Sequence, residues 1–170
     1  MATFDEVRGV LLADTARVVG DVTIGEGSSV WFGASVRGDV ATVTIGRRVN
    51  VQDNVTIHCD NGEPNVIGDD VSIGHNAVVH GLAVGDGTLI GMGARVLGGT
   101  TIGRGCLIAA GAVLPPGMQV PDGMLAVGVP ARVVRPVSEE ERAYLAWLPG
   151  HYEQLARRHV AGGFADFRTG

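Results

Sequence analysis

The chain has 170 residues, 45% of them hydrophobic, and a net charge of −5 from 18 acidic and 13 basic side chains. That length suits one domain with its own core, and the negative balance gives no footing for nucleic acid or an anionic membrane surface as partner. With no apolar run long enough to span a bilayer and no signal-peptide pattern in Met1-Ala2-Thr3-Phe4-Asp5-Glu6, the expected compartment is the cytoplasm.

From Leu12 onward an aliphatic residue returns at every sixth position, through Val18, Ile24, Val30 and Val36, then Ile45, Val51 and Ile57, then Ile67, Ile73 and Val79. The series resumes at Val84 and runs through Ile90, Val96, Ile102, Ile108 and Leu114 to Val120. The next residue is often glycine, as at Gly25, Gly46, Gly74 and Gly91, and the fifth place is mostly small or β-branched, as at Ser28, Ala34, Val55, Ala77 and Ala112. A period of six is a multiple of the strand period of two and not of 3.6, so each hexad reads as a short β segment and a turn. Stacked, the eighteen hexads make a parallel β-solenoid. The pattern resembles the hexapeptide-repeat class, in which three hexads close one triangular coil with left-handed winding. That resemblance, rather than the spacing, implies six coils of a left-handed parallel β-helix.

The register breaks three times. Three extra residues fall between Val36 and Ile45, four between Ile57 and Ile67, and one is missing between Val79 and Val84. Each break is expected to mark a loop leaving the stack.

After Val120 the repeat decays through Pro121, Pro130 and Pro136. A helix is predicted from Ser138, with Glu141 completing a capping box and Glu139 and Glu140 at the positive end of the helix dipole. Tyr144, Leu145 and Leu148 form an apolar stripe, Pro149-Gly150 interrupts it, and a second run carries Tyr152, Leu155 and Ala156. The predicted layout is a β-helix over 1–136, a helix over 137–161 packed on the solenoid of the same or a neighbouring chain, and a frayed tail over 162–170. Cys106 occupies a small inward slot; Cys59 is read as a small residue at a loop start, and no disulfide is expected.

With three hexads per coil, equal offsets three hexads apart stack on one face, about 4.8 Å from rung to rung. Arg37, His58 and His80 share one column; Asp53 and His75 share another, on a different face. Imidazoles on adjacent rungs can bring their nitrogens to one metal at about 2.0–2.1 Å each, which pairs His58 with His80. His75 reaches the same ion most easily from a symmetry-related chain in a threefold arrangement.

Arg37-Gly38-Asp39, Asn50-Val51-Gln52-Asp53 followed by His58, Ile73-Gly74-His75 through Val79-His80-Gly81, and Ile90-Gly91-Met92-Gly93-Ala94 together resemble the γ-class carbonic anhydrase family over nearly the whole chain. The resemblance implies a homotrimer of left-handed β-helices with a metal at each interface, held by His58 and His80 of one subunit and His75 of its neighbour. It implies that Gln52 orients the metal-bound water or hydroxide, and that Arg37 pairs with Asp39 and, across the interface, with Asp53. Asn50 would line the pocket, and Tyr152 would approach it from the helix. The expected metal is zinc, with iron(II) or cobalt(II) compatible with an all-histidine set. The expected reaction is attack of the hydroxide on CO2 to give bicarbonate.

The chain departs from the family's founding type at two places. Val40 stands where that type has a glutamate, and the loop from Cys59 to Val66 is short, with Asp60 and Glu63 as its only carboxylates. Two other classes fit the same repeat. One is an acyl-CoA-dependent acyltransferase, which Gly128-Val129-Pro130-Ala131-Arg132 resembles locally and which would use a histidine base. The other is a catalytically weak, metal-binding trimeric accessory protein.

Overall fold

In a computed structural model the described residues, 4–165, form a parallel β-solenoid of about six turns closed by one C-terminal helix. Strands three hexads apart pair in parallel: Val30 beside Val51, Val51 beside Ile73, and Ile90 beside Ile108 on the first face. On the second face Val36 stands beside Ile57, Ile57 beside Val79 and Val79 beside Val96. On the third, Ile45 lies beside Ile67, Ile67 beside Val84 and Val84 beside Ile102. At one end of the first face Phe4–Val7 runs antiparallel to Val10–Ala13, and at the other Ala131–Pro136 runs antiparallel to Met124–Gly128.

The aliphatic positions from Val30 to Val120 are buried along the axis, and so are the small residues of the fifth places, including Ser28, Ala34, Ala77, Cys106 and Ala112. Leu12, Val18 and Ile24 are only partly buried, because the first coil has no rung beyond it to cover their outer side. Glycine after the aliphatic position has a steric cause. A Cβ on Gly91 would lie 2.5 Å from the backbone nitrogen of Ala110 on the next rung, closer than real Cβ contacts come.

The register breaks behave differently from one another. The first is no loop: Ser35–Ile45 is a continuous strand. Arg17–Ile24 runs beside it in parallel from Arg17 to Gly20 and again from Val22 to Ile24, so the extra residues are absorbed as a bulge opposite Asp21. Gly20, at φ 86°, admits this bend, since a Cβ there would collide with the Gly38 carbonyl. The second break is a true loop, closed by an isolated bridge between Asp60 and Glu63. At the third no loop leaves the stack; the corner from His80 to Leu82 is shortened at Gly81, where a Cβ would lie 2.8 Å from the Thr100 carbonyl.

The helix Glu139–Val160 begins at the N-cap Ser138, with both bonds of the capping box formed. It is one helix, so Pro149 does not interrupt it as the sequence suggests. A proline inside a helix costs about 3 kcal/mol through its missing N–H and its clash with the preceding turn. Here Leu145, Leu148, Pro149 and Ala156 are all buried, and packing of both halves on the first face offsets that loss. Tyr144 departs from the predicted stripe and is 52% exposed. The helix packs on its own chain, where Phe4, Trp31, Phe32, Tyr152 and His159 gather, with ring centroids of Phe4 and Trp31 at 4.9 Å and of Trp31 and Tyr152 at 5.4 Å. Among the described residues no helix is long and apolar enough to cross a membrane. Both cysteines are free and buried. The last part of the predicted tail, 166–170, lies outside the described residues.

Candidate functional site

The parallel register of the second face puts Arg37, His58 and His80 on successive rungs. Nδ1 of His58 and Nε2 of His80 stand 3.1 Å apart. Arg37 Nη1 donates to both oxygens of Asp39, at 2.8 and 2.6 Å, and Asp39 Oδ1 in turn lies 3.0 Å from Nε2 of His58. The hydrogen bond from Arg37, and then that from His58, hold the Asp39 carboxyl below the usual carboxylate range. An ionised carboxylate only accepts, so Nε2 of His58 donates to Asp39. Asp60 Oδ2 lies 3.6 Å from Nδ1 of His80, just beyond hydrogen-bond distance. The facing ring nitrogens of the two histidines are thus 3.1 Å apart, with Arg37 Nη2 at 3.4 Å from that of His58. Nitrogens each about 2.05 Å from one tetrahedral ion stand about 3.3 Å apart, so the pair fits a shared divalent metal.

On the first face Asp53 and His75 occupy adjacent rungs, with Asp53 Oδ2 at 2.7 Å from Nδ1 of His75. Nε2 of His75 is left facing Tyr152, whose hydroxyl stands at 3.5 Å. Burial, with the charge of Asp53 adding to it, raises the Tyr152 pKa above its usual 10, so at neutral pH the phenol is a donor. His58 and His75 thus each have a carboxylate at hydrogen-bond distance from one ring nitrogen, while Asp60 stands near His80 just beyond that distance.

Gln52 is buried beside His75. Its Nε2 donates to Asn50 Oδ1 at 2.9 Å, and its Oε1 accepts from the backbone N–H of His75 at 3.2 Å. Asn50 Nδ2 donates to Ser72 Oγ at 2.7 Å. These bonds lock the plane of the Gln52 amide and leave one of its N–H groups for a ligand. An apolar cavity of about 330 Å³ lies between the first face and the helix, with Gln52, Gly74 and Tyr152 in its wall.

One chain therefore assembles two half-sites. His58, His80, Arg37 and Asp39 share the second face, whereas His75, Asp53, Gln52, Asn50 and Tyr152 share the first. Within the chain Arg37 pairs with Asp39, its Nη2 also lies 3.4 Å from Nδ1 of His58, and Asp53 pairs with His75. Among the described residues no group of three or more His, Cys, Asp or Glu side chains in one chain could hold a metal.

Sequence reasoning names Asp39 and Asp60 without their contacts to the histidines, and it misses Asn65. Asp39 was read as a partner of Arg37 and not of His58, and Asp60 was not linked to His80. Asn65 was not singled out; it is fully buried, and its Nδ2 donates to the carbonyls of His58 at 2.9 Å and Val79 at 3.3 Å, bracing the backbone of the histidine column. An Asn two residues before the aliphatic Ile67 of a neighbouring hexad was the available signal. Cys59 is confined to packing: it is buried, and its thiol donates to the Ala41 carbonyl at 3.3 Å.

Residues 64–97 match the family model described as the hexapeptide repeat of succinyl-transferase, and residues 83–116 match bacterial transferase hexapeptide (six repeats). A protein of Methanocaldococcus jannaschii named "probable carbonic anhydrase" is 54% identical over 134 residues, 79% of this chain and 84% of that one. Gamma carbonic anhydrase 1, mitochondrial, of Arabidopsis thaliana is 40% identical over 95% of this chain, which spans 62% of that protein's length. The crystal structure of a hexapeptide transferase family protein from Anaplasma phagocytophilum superimposes with a TM-score of 0.84 at 36% identity, covering 89% of each chain.

Proposed function

The chain belongs to the γ-class carbonic anhydrase family of hexapeptide-repeat proteins, and from that premise we propose that it catalyses the reversible hydration of CO2 to bicarbonate at a divalent metal shared between subunits of a homotrimer. The observation that carries this reading is the carboxylate beside one ring nitrogen of each of His58, His75 and His80. The two half-sites lie on different faces, so the first face of one subunit set against the second face of the next would join them, a contact that a closed threefold ring repeats three times.

His58 and His80 of one subunit and His75 of its neighbour would hold zinc, with iron(II) or cobalt(II) also suited to three imidazoles. When bound, the metal supplies a Lewis acid that makes hydroxide available near neutral pH. Asp39 and Asp53 orient the rings of His58 and His75, and Asp60 stands beside His80. Gln52, held rigid by Asn50 and by the His75 backbone, presents its remaining N–H to an oxygen of the reactants. The apolar wall behind Gln52 and Tyr152 suits uncharged CO2 and disfavours the bicarbonate ion, which aids release of product. Hydration also frees a proton. Val40 offers it no base on the second face, and Asp60 and Glu63 are the acids of the short loop, so buffer in solution takes the proton.

The deciding test is CO2 hydration by stopped-flow indicator assay on protein loaded with zinc and, anaerobically, with iron(II). A metal-replete trimer with no rate above the buffer blank refutes the reading. The transferase names of the family models and of the solved relative favour a second reading, an acyl-CoA-dependent acyltransferase. Binding of acetyl-CoA by calorimetry, without hydration of CO2, would select it.

A further inference from the structure

The helix Glu139–Val160 carries an exposed ladder of aromatic rings. Trp147 stacks on Tyr144 with centroids 5.9 Å apart and on His151 at 4.3 Å, and Tyr144 and Trp147 are each 52% exposed. Beside the ladder, at the edge of the first face, Met92 is 59% exposed. Met92 lies one rung beyond His75 and Ala110 one rung beyond Met92, since the Gly93 N–H donates to the His75 carbonyl and the Gly111 N–H to the Met92 carbonyl. Tyr144 reaches this column, sharing a cavity wall with Met92 and Ala110. The second face continues below its histidines in the same way. Val79 beside Val96 and Val96 beside Leu114 put Leu97 one rung beyond His80 and Pro115 one rung beyond Leu97, with Pro116 exposed at the corner. Both strips are uncharged.

Rungs are about 4.8 Å apart on every face. A junction that brings His75 of one subunit to His58 and His80 of the next therefore brings Met92 and Ala110, one and two rungs on, to the level of the neighbour's Leu97 and Pro115. Resting on the shared-metal reading of the site, we propose that the Tyr144–Trp147 ladder, with Met92, is the docking surface for a second copy of this chain and closes on that copy's Leu97, Pro115 and Pro116. Trp, Tyr and Met are the residue types enriched at the cores of protein interfaces, and flat rings pack well on proline and leucine. This contact contains no metal ligand. The ring of subunits therefore assembles before the ion arrives and offers it three histidines already gathered.

The experiment is sedimentation velocity over a range of concentrations on chelator-treated and on zinc-loaded protein. Acrylamide quenching runs beside it and reads Trp147, since Trp31 is only 5% exposed. Chelated native protein should be trimeric, with Trp147 shielded. Trp147→Ala should raise the concentration at which the chelated trimer dissociates by roughly a hundredfold, as loss of an interface anchor repeated three times implies, and zinc should restore the trimer. Trp147→Phe, which keeps a flat ring, should behave as native. Pro116→Glu, on the opposite strip, should match Trp147→Ala and serves if that variant does not fold. Chelated native protein that falls to monomers, a Trp147 as open to acrylamide in the trimer as in the monomer, or native stability in both the Trp147→Ala and Pro116→Glu trimers overturns the docking surface while the shared metal stands. A native chain that stays monomeric with zinc bound in full overturns the shared-metal reading and the docking surface with it.

Discussion

His58 and His80 are 22 residues apart in sequence and one rung apart in the coil, and their facing nitrogens stand at 3.1 Å with a carboxylate beyond each ring. On the proposed function this pair supplies two of the three metal ligands. We expect His80→Ala to reduce metal per chain to under a tenth of the native content, measured by plasma mass spectrometry on protein purified without chelator. His75→Ala should do the same although it lies on another face; a His75→Ala protein with full metal would separate His75 from the site.

Asp53→Asn keeps the shape of the side chain but removes the charge that fixes the His75 tautomer. Loss of such a partner typically costs 10–100-fold in metal affinity. Competition with a chromophoric chelator should show a weakening of that size for Asp53→Asn and for Asp39→Asn, and native affinity in both would sever the carboxylates from the site.

With no carboxylate at Val40, proton release falls to the solvent. CO2 hydration at fixed pH should therefore rise with imidazole buffer concentration before it levels off. A rate independent of buffer would point to an internal proton carrier.

Asn65 has no accessible surface and donates to two carbonyls of the histidine column. Asn65→Ala strips the His58 carbonyl of this partner, while the Val79 carbonyl keeps the His58 N–H, and should destabilise the fold by about 1–3 kcal/mol, read from the urea midpoint. Gly91→Ala, which pushes a methyl group against the next rung, should cost a similar amount of about 1–3 kcal/mol through overpacking alone.

Pairing with Arg135, and then the backbone N–H of Ser138, lowers the Glu141 pKa from 4.5 to about 2. A carboxyl depressed in the folded state contributes stability that is complete above the unfolded value and lost as pH falls through the folded one. Acid unfolding should therefore steepen between pH 4.5 and about 2, and Glu141→Gln should flatten that window in circular dichroism titrations.

The coils were legible because burial along a narrow axis repeats one demand at each sixth residue, and the strand pairings fall where that count puts them, from Val30 beside Val51 to Ile102 beside Val120. The histidine columns were legible for the same reason. The bulge in Ser35–Ile45 was not, because an insertion reads as a loop until the partner strand Arg17–Ile24 is seen to bridge it. Pro149 misled because its local cost is visible in sequence while the packing of both flanking turns is not. The carboxylate partners of His58 and His80 depend on side chains that reach across a corner, from Asp39 and Asp60, and hexad offsets carry no trace of that reach.

The two reversed strands at the ends of the first face act as terminators. A bare last rung would offer a row of free N–H and C=O groups to which any like rung could add, and repetition of that step builds a fibre. Here Phe4–Val7 and Ala131–Pro136 occupy those rims with the opposite chain direction, so another copy arriving end-on meets a rim that does not continue the winding. Without either strand the first face would end on an open strand edge, the kind of surface to which a like rung can add.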